Sequence, residues 1–204
     1  GENDTAKTEH YDVLLTAMVM RLRQLFRDDS LPFLNMQLPM WIAAGDEDKH
    51  DWARLRLAQA RAASALQPGG LAILLDCGEF DNIHPTDKRT PGERLCDVAL
   101  RVVYGMDAPE SPRALGKYTQ GDTLVVTLSA PVLRRETGEL LLEIAGEDGA
   151  YHPVQSVTLD GTEMRLRSVA VLHPAKVRYA YVNWGKVSLF GRNGLPLAPF
   201  AFEG

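Results

Sequence analysis

Apolar residues recur at three- and four-residue steps from Thr8 to about Arg27, where Tyr11, Leu14, Leu15, Met18, Leu22, Leu25 and Phe26 make one stripe. That period predicts a helix packed along one face. Asp28-Asp-Ser-Leu-Pro32 stops it, and Phe33 to Leu38 reads as a short strand closed by Pro39. A second helical pattern runs from about Asp48 to Leu66, with Trp52, Leu55, Gln59, Ala62 and Leu66 on one face, and ends at Pro68-Gly-Gly70. The unbroken apolar run Leu71 to Leu75 predicts a buried strand, and Pro91-Gly-Glu93 opens a third helix through Val98, Leu100, Val102 and Val103 that stops at Gly105. Helix, strand, helix, strand, helix is the rhythm of a parallel α/β sheet covered on both faces.

The pattern changes near Asp107-Ala-Pro-Glu-Ser-Pro112. Beyond it, β-rich runs at Leu124 to Leu128, Leu140 to Ile144, Val154 to Leu159, Met164 to Val171 and Val177 to Val182 alternate with turns at Glu136-Thr-Gly138, Gly146-Glu-Asp-Gly149 and Asp160-Gly161. This half predicts an antiparallel β-rich, sandwich-like lobe. The chain thus divides into an α/β part over residues 1–112 and a β-rich part over 113–204.

Candidate chemistry lies where the two strand-and-helix units meet. Cys77-Gly-Glu-Phe-Asp81-Asn-Ile-His84-Pro leaves the second strand at its carboxyl end, the place where open α/β sheets carry their active sites. An Asp-x-x-His pair there can orient an imidazole through one ring nitrogen and leave the other free to take a proton from a nucleophile. The same residues also suit a plain surface loop, with Asp81 capping a turn and His84 held by Pro85.

Composition narrows the partners. A net charge of −5 over 204 residues, with no basic cluster, argues against nucleic acid and anionic membrane. The 45% hydrophobic content is that of a globular core. No apolar run approaches the roughly 20 residues of a membrane span. Gly1-Glu-Asn-Asp4 reads like the interior of a protein, so any signal segment would lie upstream of it. Cys77 and Cys96 have no metal-ligand spacing, and both fall in apolar segments, which favours buried thiols over a disulfide.

A set of short motifs resembles the sialate O-acetylesterases, a branch of the SGNH (GDSL-like) hydrolases. It comprises Gly1-Glu2-Asn3, Leu31-Pro-Phe-Leu, Met36-Gln-Leu-Pro39, Trp52-Ala with Arg56 and Gln59, and Asp81-Asn-Ile-His-Pro85. It continues through Gly92-Glu-Arg-Leu95, Glu143 to Gly149, Val177-Arg-Tyr-Ala180, Gly194-Leu-Pro and Ala198-Pro-Phe200. The resemblance implies the carboxyl-terminal half of a three-layer α/β/α hydrolase domain followed by the β-rich lobe. It implies a serine esterase that removes O-acetyl groups from sugars, with His84 as general base and Asp81 as its orienter. Gly1-x-Asn3 resembles the block whose Asn amide binds the oxyanion, a donor typically worth about 3 kcal/mol of barrier; as a bare residue, Asn3 equally suits a helix cap.

The family's nucleophile sits in a Gly-Gln-Ser-Asn-like element, and none of Ser30, Ser64, Ser111, Ser129, Ser156, Ser168 or Ser188 has that context. The expectation is a companion polypeptide or upstream segment that carries the Ser, and a sheet whose first strands are missing, leaving an open apolar edge. Trp41 and Gln37 are candidates for substrate contact, while Arg56 and Gln59 are expected to tie helix to loop. No cofactor and no metal are expected, Gly45 to His50 reading as a solvated loop. The expected location is secreted or periplasmic, lysosomal in a eukaryote. Two alternatives stay open: an acetylxylan esterase-like enzyme, and a non-catalytic carbohydrate-binding or scaffold chain.

Overall fold

Two parallel strands need a long crossover between them, and a helix supplies it in the computed structural model, which describes residues 1–203. Strand β1 (Phe33–Met36) pairs in parallel with β2 (Gly69–Ala72), from Phe33 opposite Gly69 to Met36 opposite Ala72, and α2 (Asp51–Ala65) makes the crossing. A 3-10 stretch, Glu2–His10, and helix α1 (Tyr11–Phe26) precede β1; α3 (Arg89–Val102) follows β2. Each element expected from the apolar period is present, α1, α2 and β1 with trimmed ends, while α3 starts two residues before Pro91 and β2 starts two before Leu71. The predicted start at Thr8 falls inside the 3-10 stretch, and the second strand is the shortest match, its expected Ile73 to Leu75 continuing as buried irregular chain.

Helix α3 covers one face of the small sheet. Ala72, Leu74 and Val98 form a buried cluster with Leu34, Cys77 and Val102 around it, and a side chain at Gly70 would run into Val98 and Val102. Gly69, pointing the other way, abuts the Leu66 carbonyl at the end of α2. All five residues predicted to face inward from α2, Trp52, Leu55, Gln59, Ala62 and Leu66, are buried. Buried Arg23 of α1 donates to the carbonyls of Leu31 at 3.0 Å, Gln67 at 3.1 Å and Pro68 at 3.0 Å, fastening α1 to the chain entering both strands. Beyond Arg23, α1 ends in a left-handed Arg27 whose neighbour Asp28 donates its amide to the Arg23 carbonyl.

One expectation for α1 is corrected. Val19 and Arg23 form its buried line, whereas Leu14, Met18, Leu25 and Phe26 of the predicted stripe are exposed at 67, 47, 61 and 69%. The apolar pattern of this helix is wider than the face its neighbours cover.

The chain divides at Glu110/Ser111, two residues before the expected boundary. The second unit is antiparallel throughout its ladders, as its turn spacing predicts. One sheet runs in the order β3 (Ala114–Gln120), β4 (Thr123–Leu128), β9 (Glu163–Arg167), β8 (Ser156–Asp160). Another runs β12 (Phe200–Phe202), β10 (Lys176–Tyr179), β6 (Leu142–Ala145), β7 (His152–Pro153), and β5 (Val132–Arg134) pairs with β11 (Leu189–Gly191). The predicted turn at Asp160-Gly161 closes the β8–β9 hairpin, with Gly161 at φ +55° where an L side chain is strained. The fold is therefore mixed α/β. The described residues supply two strands to the parallel sheet, with helices on both faces.

Candidate functional site

The loops leaving β1 and β2 are laced to each other. Gln37 donates its amide to the Ala72 carbonyl at 2.9 Å, Asp81 donates its amide to the Ile42 carbonyl at 3.0 Å, and the Ala44 amide returns to Asp81 Oδ1 at 2.8 Å. Gly78 permits the approach, since a Cβ there would stand 1.8 Å from the carbonyl oxygen of buried Met40. Asp81 itself is left-handed, at φ +58°, a conformation that Asp and Asn accept more readily than other side chains.

A second layer of bonds shapes the turn that carries His84. Glu79 accepts from Asn82 Nδ2 at 2.7 Å through one carboxylate oxygen and from the Thr86 amide and hydroxyl, both at 2.6 Å, through the other. The Thr86 bonds, chiefly that of its hydroxyl, hold the Glu79 carboxyl below the ordinary glutamate value. Asn82 Oδ1 in turn accepts the His84 amide at 3.1 Å. Sequence reasoning singled out Asp81 and His84 and passed over Glu79, Asn82 and Thr86, whose signal is the density of short polar side chains that favour local backbone bonds.

Asp81 and His84 are both exposed. Among the described residues no hydrogen bond joins them: one Asp81 oxygen is engaged by the Ala44 amide instead of the imidazole. The Glu2 carboxyl is lowered chiefly by its own backbone amide and then by the Gly1 amino group, with His84 a further, smaller electrostatic cause. Gly1 lies against the Tyr11 hydroxyl, 2.8 Å from where its Cβ would be, and near Gln59. Asn3 is exposed within the 3-10 stretch and makes no capping bond there.

The other candidates separate. Gln37 is buried and donates its side-chain amide to the Arg56 carbonyl at 3.1 Å, tying the β1 loop to α2. Gln59 accepts the Leu38 amide at 2.8 Å and donates to the Met36 carbonyl at 3.3 Å, tying α2 to the β1 loop as expected. Arg56 is wholly buried, which pulls its guanidinium down to about 10 against the opposing pull of Asp48. Trp41, next to the Ile42 that holds Asp81, is half-buried against Trp52 with ring centres 5.0 Å apart, and its enclosed indole N–H has no partner among the described residues. His50 Nδ1 lies 3.3 Å from Asp48 Oδ1, and among the described residues no three His, Cys, Asp or Glu side chains converge to hold a metal ion.

Below the site, Arg94 of α3 grips Asp76 with two bonds of 2.6 and 2.8 Å and reaches the Ile73 carbonyl at 2.7 Å. This pair fixes the end of the β2 segment from which the His84 loop departs. Cys77 beside it is a free thiol pushed up to about 12, first by burial and then by Asp76. Cys96 is also free, but exposed, contrary to the expected buried position.

No protein-family model matches the chain, and no curated protein does. Among solved structures, the chain is similar to a carbohydrate acetylesterase from Xanthomonas citri, with a TM-score of 0.91 and 32% identity over 99% of this chain. The chain spans about half of that protein, 48% of its length. At this identity and TM-score the likeness shows that the two chains share this fold over the matched length.

Proposed function

We propose that this chain is the base-bearing portion of a serine-type carbohydrate O-acetylesterase. The observation that supports the reading is the match to a carbohydrate acetylesterase over 99% of this chain and 48% of that protein; His84, exposed on a loop braced by Glu79 and Asn82, is the proposed base. A Ser hydroxyl from an upstream or companion segment attacks the acetyl carbonyl while His84 accepts its proton. His84 then gives that proton to the departing sugar oxygen, and water, deprotonated by the same imidazole, frees acetate from the acyl-serine. Asp81 keeps one carboxylate oxygen for orienting the imidazole when the site is complete, and Asn3 with the backbone near Gly1 donates toward the oxyanion.

The sugar is proposed to be an O-acetylated sialic acid, on the motif resemblance, with acetylxylan as the rival. The site lies in a protein acting outside the cytoplasm. The test is acetate release from O-acetyl sialic acid and from acetylxylan by this chain joined to its upstream segment. Hydrolysis that falls by about 1,000-fold or more in His84→Ala supports the assignment. Undiminished hydrolysis in that variant removes His84 from the mechanism, and sugar binding without hydrolysis favours the carbohydrate-binding alternative.

A further inference from the structure

At one end of the four-stranded sheet of the second unit, the turn between β3 and β4 comes beside the paired ends of β8 and β9, and a cavity of about 330 Å³ lies among them. Asp122 of that turn, Gln155 and Ser156 where β8 begins, and Arg167 with the residues just after β9 form its walls. The segment after β9 is clamped. Gln155 donates its backbone amide to the Arg167 carbonyl at 3.0 Å and accepts the Val169 amide through Oε1 at 2.9 Å. The Ser168 carbonyl takes the Val171 amide at 3.1 Å, which closes a turn. The Arg167 guanidinium bonds the Asp122 carboxylate and holds it below the ordinary aspartate value, and Thr123 Oγ1 donates to the same carboxylate at 3.1 Å.

One wall residue is left incomplete. Ser168 is 6% exposed, and its enclosed hydroxyl has no partner among the described residues. Burying a hydroxyl without a hydrogen bond is unfavourable, so such a group calls for something that completes it. The walls also select what that is. Guanidinium and carboxylate stand together, so an anion entering the cavity would face Asp122 and a cation would face Arg167. Neutral bonding in both senses remains: donors on Arg167 and the Gln155 amide nitrogen, acceptors on Asp122, and the hydroxyls of Ser156 and Ser168, which do either. Val169 and Leu172, exposed at 82 and 66%, add an apolar edge. A neutral sugar ring, with hydroxyls around its rim and C–H groups on its faces, matches that mixture. The volume is at the lower end of the roughly 300–1,000 Å³ of small-molecule sites, which suits one ring rather than a long chain of them.

We propose that this cavity is a binding subsite for one neutral sugar residue, whose hydroxyls meet Arg167, Asp122 and Ser168 and whose apolar face meets Leu172. It lies wholly within the second unit, uses none of the residues assigned to ester hydrolysis, and stands or falls apart from the esterase reading.

The test titrates the protein with D-xylose, D-galactose and N-acetyl-D-glucosamine and follows its backbone amide resonances. At least one of these sugars is expected to shift Asp122, Gln155, Ser156 and residues 167–172 with a Kd of about 1–10 mM. N-acetylneuraminic acid, whose carboxylate Asp122 repels, and glycerol, which has no ring, should shift them less. Arg167→Ala weakens the binding by about 10-fold and Ser168→Ala by about 5-fold. Ser168→Ala does so without lowering the melting temperature, because its hydroxyl has no bond to lose in the free chain. A lower melting temperature in Ser168→Ala with unchanged sugar affinity would make that hydroxyl structural and overturn the proposal. So would the absence of shifts at these residues, or a response to glycerol or to N-acetylneuraminic acid as strong as to the neutral sugars. Acetyl-ester hydrolysis with no sugar response here removes the subsite and leaves the esterase; a sugar response here without hydrolysis does the reverse.

Discussion

Asp81 and Ala44, thirty-seven residues apart, are joined by a 2.8 Å hydrogen bond from the Ala44 amide to the Asp81 carboxylate. Through it, the same residue that would orient His84 also closes the loop of β1 onto the loop of β2. Asp81→Asn retains an acceptor for that amide and tolerates the left-handed backbone, so its melting temperature stays within about 2 °C of the parent. Asp81→Ala loses the acceptor and strains the backbone, at about 1–3 kcal/mol. Under the esterase proposal, Asp81→Asn lowers kcat by about 100-fold or more, yet less than His84→Ala, because the proposed base remains but in the wrong tautomer. Thermal unfolding and steady-state kinetics on the three variants separate the two duties.

Gly78→Ala is expected to pry the same loops apart. Its Cβ would meet the Met40 carbonyl at 1.8 Å, and Met40 is fully buried and cannot yield. The expected cost is about 2–4 kcal/mol in denaturant unfolding, with activity lost more steeply than stability.

Arg94→Ala leaves the Asp76 carboxylate and the Ile73 carbonyl without their donor at a site where the Arg side chain is 10% exposed. A loss of about 2–4 kcal/mol follows. Lysine, a single point donor in place of a planar fork, recovers less than half of it in urea titrations.

The two cysteines will react differently. At pH 8 an alkylating reagent labels exposed Cys96, while Cys77, with its thiol pushed up to about 12, stays unmodified in the folded chain and becomes labelled in denaturant. Peptide mass spectrometry reads both sites at once. Equal labelling of the two in the folded protein would show the His84 loop opening from β2.

Glu79 makes the loop sensitive to acid. Its carboxyl is lowered in the folded chain, so the ionised form and its bonds to Thr86 contribute above the ordinary glutamate value and are lost as pH falls through the lower, folded one. The Thr86 amide resonance should move over that acidic range and stay still in Glu79→Gln.

The first unit's elements were legible because their apolar periods are local. Trp52, Leu55, Gln59, Ala62 and Leu66 repeat every three or four residues and are all buried. Strand β3 was missed because Ala114-Leu-Gly-Lys-Tyr-Thr-Gln120 has little apolar alternation; it is half-exposed at one side of its sheet and carries a bulge near Gly116. The wide apolar arc of α1 predicted the helix but misjudged its buried face, since a period does not say which neighbours are present.

The Asp-x-x-His element was visible as chemistry, because residue type and a three-residue spacing are properties of the chain itself. What braces it was not. Glu79 to Thr86, Asp81 to Ala44, Gly78 under Met40, and Arg94 on Asp76 are contacts set when separate loops converge. Hydrophobic period and turn chemistry were enough to foresee the parallel βαβ core and the β-rich second unit, and motif spacing to single out Asp81 and His84 as candidates. The burial of Gln37, the bond from the Ala44 amide to one oxygen of Asp81 and the exposure of Leu14, Met18 and Leu25 on α1 came from packing alone. Those outcomes depend on which distant groups are close enough to bond or to exclude water, and that distance is fixed by packing rather than by order along the chain.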